Sequence, residues 1–204
     1  YMSIEKYFEE YNTPGVQDAM EASVDSQINC ISLDLKKFIS DNPNGGTIVD
    51  IGCGNGIIFD RLLSYSEFVD NSQFIYFGTD EISKLKVIND RALEHRFSRR
   101  VELHDLDEFY TESLSKFNLP SPMLFVCRNV FHELTISETA KLLYYLKLNL
   151  NDNKIIIQDL LNFKQGECGN VCWNFALFEK MLKDIGFEGI FDLQESKSKS
   201  AWFS

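Results

Sequence analysis

No apolar run in the 204 residues is long enough to span a bilayer, and no stretch has the charged, apolar and small-residue order of a signal peptide. The expectation is a protein that works away from the membrane. Positive charge is scarce, with Lys+Arg 20 against Asp+Glu 31 and a formal net charge of -11. Such a surface repels duplex nucleic acid unless a local basic patch overrides it, so a nucleic-acid partner is disfavoured. Internal repeats and low-complexity segments are absent, which excludes solenoids and long linkers. The five cysteines, Cys30, Cys53, Cys127, Cys168 and Cys172, are odd in number and scattered. That argues against a disulfide framework and for a reduced, cytoplasmic protein. The Cys168–Cys172 spacing lacks a second ligand pair for zinc, and Phe175 stands where an iron–sulfur triplet would need its last cysteine. His132–Glu133 begins an H-E-x-x-H pattern, but Ile136 occupies the second histidine's place. No metal is expected.

What is present is a real core and a regular alternation. Hydrophobic residues make up 44% of the chain, and three of its four prolines fall at the ends of periodic segments. Val16, Met20, Val24, Ile28, Ile31, Leu35 and Phe38 recur at helical spacing up to Ile39, and "DNPNGG" ends that helix. "TIVDI" (47–51) then reads as a strand buried on both faces. Helices are predicted over 56–65, 82–97, 109–117, 137–150 and 173–185. Further strands are predicted over 73–80, 100–105, 123–129 and 154–160, with a polar hairpin joining two short strands at the end. Strands alternating with helices imply an α/β, Rossmann-like, doubly wound fold. The expected sheet has seven strands, mostly parallel, with an antiparallel strand from the C-terminal hairpin. The expected division is a helical cap region over 1–46 and a core over 47–204.

The segment "VDIGCGNG" (49–56) places Gly52, Gly54 and Gly56 in the first strand-to-helix turn. Glycine there admits left-handed backbone and close approach of a ligand, and the following helix offers free N–H groups. A phosphate or a carboxylate would suit it. The dinucleotide pattern G-x-G-x-x-G requires glycine at 57, where Ile57 stands, and no phosphate-binding lysine follows. Taken alone, such a turn is equally well plain turn chemistry. Asp80 closes the second strand, where a carboxylate can accept both hydroxyls of a ribose. Asp105 closes the third, placed to receive the exocyclic amine of a base. Arg128 and Asn129 close the fourth. Any one acid at a strand end is adequately explained as a cap for the next helix, but a row of them beside the glycine turn is not.

With these residues in view, "VDIGCGNG", "FGTDEIS", "LHDLDEF", "FVCRNVFHEL" and "KIIIQDL" resemble the class I S-adenosylmethionine-dependent methyltransferases, from about Thr47 to the C-terminus. The resemblance implies S-adenosyl-L-methionine as the cofactor. By similarity, the turn Asp50, Gly52, Cys53, Gly54, Asn55 and Gly56 would surround its methionine part. Asp80 would hold the ribose, with Glu81 nearby, and Asp105 and Leu106 would address the adenine. Arg128 and Asn129 would lie beside its amino-acid end and sulfonium. A phosphate-free, acidic site suits that cation, and Asp50 beside the turn suits an ammonium group better than a pyrophosphate. Tyr7 and Tyr11 fall where such enzymes often cover the cofactor.

The implied function is methyl transfer to an O, N or C nucleophile of a small-molecule acceptor, driven mainly by proximity, orientation and desolvation. His132 is either a general base near the methyl group or a packing and capping residue. Asp159, Asn162, Trp173 and Asn174 follow the fifth strand and could meet the acceptor. The segments that usually form a substrate lid are short, so either the pocket is open or a partner chain or fused domain completes it. Two alternatives stand beside this reading. One is a protein or RNA methyltransferase, although "RNVF" replaces the N-P-P-Y-type tetrapeptide of amide and base methylation. The other is a non-catalytic module of the same fold.

Overall fold

The computed structural model describes residues 16–80, 82–97, 100–106, 109, 114–132, 134–150, 153–161, 174–189, 193–195 and 201–203. Helix α1 (Val16–Asp41) leads to strand β1 (Gly46–Ile51). Then follow α2 (Ile57–Leu63), a short α3 (Ser66–Val69), β2 (Phe74–Asp80), α4 (Ile82–Glu94) and β3 (Val101–Asp105). A 3₁₀ turn, Leu114–Phe117, precedes β4 (Met123–Arg128), α5 (Ile136–Leu150), β5 (Lys154–Leu161) and α6 (Phe175–Ile185). Strands β6 (Leu193–Glu195) and β7 (Ala201–Phe203) close the chain. The sheet order is β3-β2-β1-β4-β5-β7-β6. The first five strands run parallel, and β7 lies antiparallel to both β5 and β6. The chain therefore has the doubly wound α/β architecture that its alternation predicts, with the hairpin on the far edge.

Side-chain alternation divides the sheet into two faces. Ile48, Tyr76, Leu124 and Val126 pack on one face with Ile28, Ile31, Leu35 and Phe38 of α1 and with Ile58, Phe59 and Leu62 of α2. Val49, Phe77, Phe125 and Cys127 pack on the other with Leu142, Leu143 and Leu146 of α5 and Phe178 and Leu182 of α6. The second half of α1 thus belongs to the main core, because its apolar positions fall three and four apart along one stripe. Phe59 is fully buried against Tyr76, with ring centroids 5.0 Å apart. Its truncation to alanine is expected to cost about 3–5 kcal/mol, the usual range for a lost core phenylalanine.

The helix expected over 82–97 ends at Glu94, most other bounds shift by one or two residues, and three departures have a visible physical cause. The helix expected over 56–65 stops at Leu63, because Tyr65 adopts extended backbone (φ -103, ψ 113) and buries its ring, and α3 restarts the chain. Within the stretch expected as a helix over 109–117, Leu114–Phe117 is 3₁₀, ended by left-handed Asn118 (φ 50). This geometry brings Phe109 and Phe117 against Phe77, at 5.9 and 5.1 Å between ring centroids. The last helix begins at Phe175 rather than at 173, because Asn174 caps it: its Oδ1 accepts from the N–H groups of Ala176 and Leu177. At the other end of α6 Gly186 is left-handed (φ 97), as its role as a stop signal requires.

Candidate cofactor and catalytic site

Strand order reverses between β1 and β4, so the crevice for a ligand opens above the carboxyl ends of β1, β2, β4 and β5. The glycine turn sits over β1. Gly52, Gly54 and Gly56 all hold positive φ (68, 53 and 82). A Cβ on Gly52 would meet Val130 Cγ2 at 2.7 Å, and one on Gly56 would meet Ile88 Cγ1 at 2.7 Å. At Gly54 a Cβ would meet nothing within 4 Å, so the middle of the turn faces open space where a ligand can approach the backbone.

The turn is held from three directions. Cys53 is buried, and its N–H donates to Thr79 O at 2.9 Å. The Gly54 N–H donates to Asp80 Oδ2 at 2.6 Å, so the acid that closes β2 grips the turn. Arg91 Nη1, from α4, donates to the exposed Asn55 carbonyl at 2.7 Å and to Asp60 Oδ2 at 2.6 Å. Desolvation raises the Asp60 carboxyl pKa, and the arginine beside it partly offsets the rise. Asp105 pairs in register with Asp80 at the end of β3, and Leu106 follows it, half-buried against the second core. Both acids thus stand at neighbouring strand ends.

Asp50 lies beneath the turn, 1% exposed. Its Oδ2 accepts from the Tyr76 hydroxyl at 2.6 Å. Burial pushes its carboxyl up to about 7. Tyr76 and the charge of Arg128 pull the value down, and Asp80 adds to the rise. Burial likewise drives the Tyr76 phenol well above its ordinary value, so it remains a donor to Asp50.

At the end of β4, Asn129 takes left-handed backbone (φ 55), and its N–H donates to Gln158 O at 2.8 Å. Asn129 Oδ1 and Gln158 Oε1 are buried acceptors without a hydrogen-bond partner among the described residues. A buried acceptor left in that condition costs about 1–3 kcal/mol, so this corner favours a ligand that donates.

On the opposite face of the sheet, Asp159 of β5 is also 1% exposed. Its Oδ2 accepts from the N–H groups of Val130 (2.9 Å) and Phe131 (2.5 Å), and its Oδ1 lies 2.7 Å from His132 Nδ1. A carboxylate that already accepts two amides is an acceptor toward the ring as well. Asp159 therefore orients the His132 ring through its Nδ1. The loop is steadied beyond His132 by a capping box. The Thr135 N–H and hydroxyl donate to Glu138 Oε2, and the Glu138 N–H returns a bond to Thr135 Oγ1.

No family model matches the sequence, and no curated protein matches it. Solved structures do resemble the fold. Magnesium protoporphyrin IX methyltransferase (ChlM) from Synechocystis PCC 6803, solved with bound SAM, superposes with a TM-score of 0.63 at 17% identity, covering 94% of this chain and 83% of that one. The chain has the class I methyltransferase fold. N,N-8-amino-8-demethyl-D-riboflavin dimethyltransferase (RosA) from Streptomyces davawensis gives a TM-score of 0.56 at 14% identity, covering 97% of this chain and 60% of that one. An O-methyltransferase family 2 protein from Planctomyces limnophilus DSM 3776, in complex with apigenin, gives 0.57 at 15% identity, covering 78% and 50%. The chain thus spans about half the length of the Planctomyces protein.

Within this methyltransferase fold, Asp50, Gly52, Cys53, Gly54, Asn55, Gly56, Asp80, Asp105, Leu106, Arg128 and Asn129 lie at or beside the carboxyl ends of β1 to β4. Glu81, Glu133, Asn162, Trp173, Cys168, Cys172, Tyr7 and Tyr11 fall outside the described residues. Asn174, expected to meet the acceptor, instead spends its side-chain oxygen on capping α6. His104 of β3 stacks on Phe77, with ring centroids 4.8 Å apart. Tyr76, Arg91, Gln27 and the Asp159–His132 contact were missed by sequence reasoning. Strand register offers one signal: Tyr76 and Asp50 share a face on adjacent strands, which makes a hydroxyl there available to the carboxylate. Among the described residues no helix is long and apolar enough to cross a membrane, and no group of three or more His, Cys, Asp or Glu side chains could hold a metal ion.

Proposed function

We propose that this chain binds S-adenosylmethionine across the carboxyl ends of β1, β2 and β3 and directs its methyl group to a hydroxyl oxygen of a small-molecule acceptor. The residues present fit the cofactor. The space over Gly54 admits its backbone approach, and the buried acceptors of Asn129 and Gln158 suit a donating ammonium group. Asp50 and the glycine turn would hold the methionine part, Asp80 the ribose, and Asp105 and Leu106 the adenine. When bound, the cofactor supplies an electrophilic methyl group.

The single observation that carries the choice of oxygen is the Asp159–His132 contact of 2.7 Å. An amine attacks as its free base and sheds its proton afterwards. A hydroxyl gains nucleophilicity only as its proton leaves, and that task needs a base. His132, with Nδ1 tied to a buried carboxylate, is oriented to take that proton on Nε2. Transfer itself needs proximity and exclusion of water more than further chemistry. The greater length of the Planctomyces protein and RosA supports a further domain or a partner chain that covers the acceptor.

The test is a labelled-methyl assay against matched phenols, alcohols and amines, followed by His132→Gln. The account expects labelled ether products. In the variant, turnover should fall by roughly 10²–10⁴-fold, the usual worth of a general base, with cofactor affinity unchanged. Preference for amines, or turnover indifferent to His132, contradicts the oxygen assignment. Tight cofactor binding with no turnover of any acceptor, peptide or RNA included, would indicate a binding module.

A further inference from the structure

Burial raises the Asp50 carboxyl, and among the described residues Tyr76 of β2 and Arg128 of β4 pull it down while Asp80 of β2 adds to the rise. Asp50 in turn raises the buried thiols of Cys53 and Cys127. Arg128 supplies the positive charge among these groups, and it stands on the same face of the sheet. Asp50 pairs with Val126, and Arg128 lies two residues further along β4. A guanidinium on a long stem points wherever an acceptor holds it. Here one acceptor comes from α1: Arg128 Nη2 donates to Gln27 Oε1 at 2.6 Å, and Gln27 is only 6% exposed.

The hydrogen-bond chemistry fixes the orientation of the whole cluster. A guanidinium only donates, so Gln27 must present its oxygen to Arg128. Asn129 must then present Nδ2 to that same oxygen, at 3.1 Å. The main-chain carbonyl of Gln27 accepts from Gln158 Nε2 at 2.9 Å, and the Asn129 N–H donates to Gln158 O. Gln27, Asn129 and Gln158 therefore form a closed ring joining α1, the exit of β4 and β5, with Arg128 as its one charged spoke.

We propose that Gln27 is a positioning residue for the cofactor site: its side-chain oxygen aims Arg128 at Asp50, so that the docking of α1 sets the charge presented beneath the glycine turn. The inference rests on the reading of that turn as the berth of the cofactor's ammonium end. Helix α1 is then part of the binding machinery and not merely a cover. Loss of the Gln27 oxygen removes the hold that α1 has on the guanidinium. Asp50 then keeps its proton to higher pH, and the neutral acid is a poorer partner for an ammonium.

The variant is Gln27→Met, close in shape and lacking the acceptor, with Gln27→Glu as the rescue because its carboxylate can again hold Arg128. Two quantities are read. The first is the titration midpoint of the Asp50 carboxyl in the ligand-free protein, followed by carbon NMR and assigned through Asp50→Asn. The second is the Kd of S-adenosylhomocysteine at pH 7 and pH 9. The midpoint is expected to rise by about 0.5–1 pH unit in Gln27→Met, the scale of one weakened neighbouring charge. The Kd is expected to rise roughly 3–10-fold at pH 7, to recover at pH 9, and to return toward the wild-type value in Gln27→Glu. A folded Gln27→Met protein with an unmoved midpoint overturns the proposal. A midpoint that moves in a protein whose wild type binds no S-adenosylhomocysteine removes the cofactor reading and leaves the role of Gln27 toward Asp50 intact. Should Gln27→Met fail to fold, Gln27→Asn, one methylene too short to reach Arg128, is read in the same way.

Discussion

Asp50 and Asp159 are equally buried, at the same end of the same sheet, on opposite faces. They differ in what surrounds them. Asp159 receives two main-chain N–H groups and a histidine ring, and so anchors the loop that leaves β4. Asp50 receives a tyrosine hydroxyl and feels the charge of Arg128, and desolvation leaves its carboxyl near neutrality. Burial alone therefore does not decide what a carboxylate does. The donors converging on it make one an anchor and leave the other able to exchange a proton as a ligand arrives.

The largest expected effect falls on the anchor. Asp159→Ala strands the buried N–H groups of Val130 and Phe131 and releases His132, and should cost about 3 kcal/mol in chemical denaturation. Asp50→Ala should cost clearly less, and equal losses would erase the contrast between the two. Next comes the grip on the turn. Asp80→Ala removes a charge-assisted bond to Gly54 and is expected to weaken S-adenosylhomocysteine binding by roughly 100-fold in calorimetry, on the scale of two lost hydrogen bonds to a charged group. Gly56→Ala places a methyl group 2.7 Å from Ile88 on backbone that L-residues rarely adopt, and should lower stability by about 1–3 kcal/mol.

A smaller effect concerns pH. The Asp50 carboxyl titrates from 3.8 to about 7 on folding, so the folded protein binds the proton more tightly than the unfolded chain. This contribution to stability is complete below the unfolded value and is lost as pH rises toward 7. Thermal unfolding of the wild type should therefore include a decline across that window, at most about 1.4 kcal/mol per pH unit, that is absent from Asp50→Asn. Identical slopes in the two proteins would show that Asp50 does not titrate there. The smallest effect is expected from Tyr76→Phe, which removes the donor that holds the carboxyl down and should extend the same decline to higher pH.

Much of the fold was legible because β-branched runs and three-four spacing report directly on burial. "TIVDI" is buried throughout and lies centrally in the sheet, and the stripe from Ile28 to Phe38 packs as its spacing predicts. The breaks were less legible. Nothing in the composition around Tyr65 announces that an aromatic ring will turn inward and end a helix. The N-cap at Asn174 was legible in principle, since asparagine before an apolar run is a start signal, but the apolar Trp173 beside it drew the helix too far. Within the site, residues at strand ends could be placed because topology alone puts them there. Gln27, Arg91 and the pairing of Asp159 with His132 could not, because each acts across 27 or more positions through contacts that only packing creates.

The central claim is that the open glycine turn and the acids beside it receive a cationic adenosyl amino acid. Isothermal titration of the wild-type chain with S-adenosylmethionine tests it most directly. The account predicts one site per chain with a micromolar-type Kd, abolished or strongly weakened in Asp80→Ala. No heat with S-adenosylmethionine, or saturable binding of NAD in its place, would contradict it.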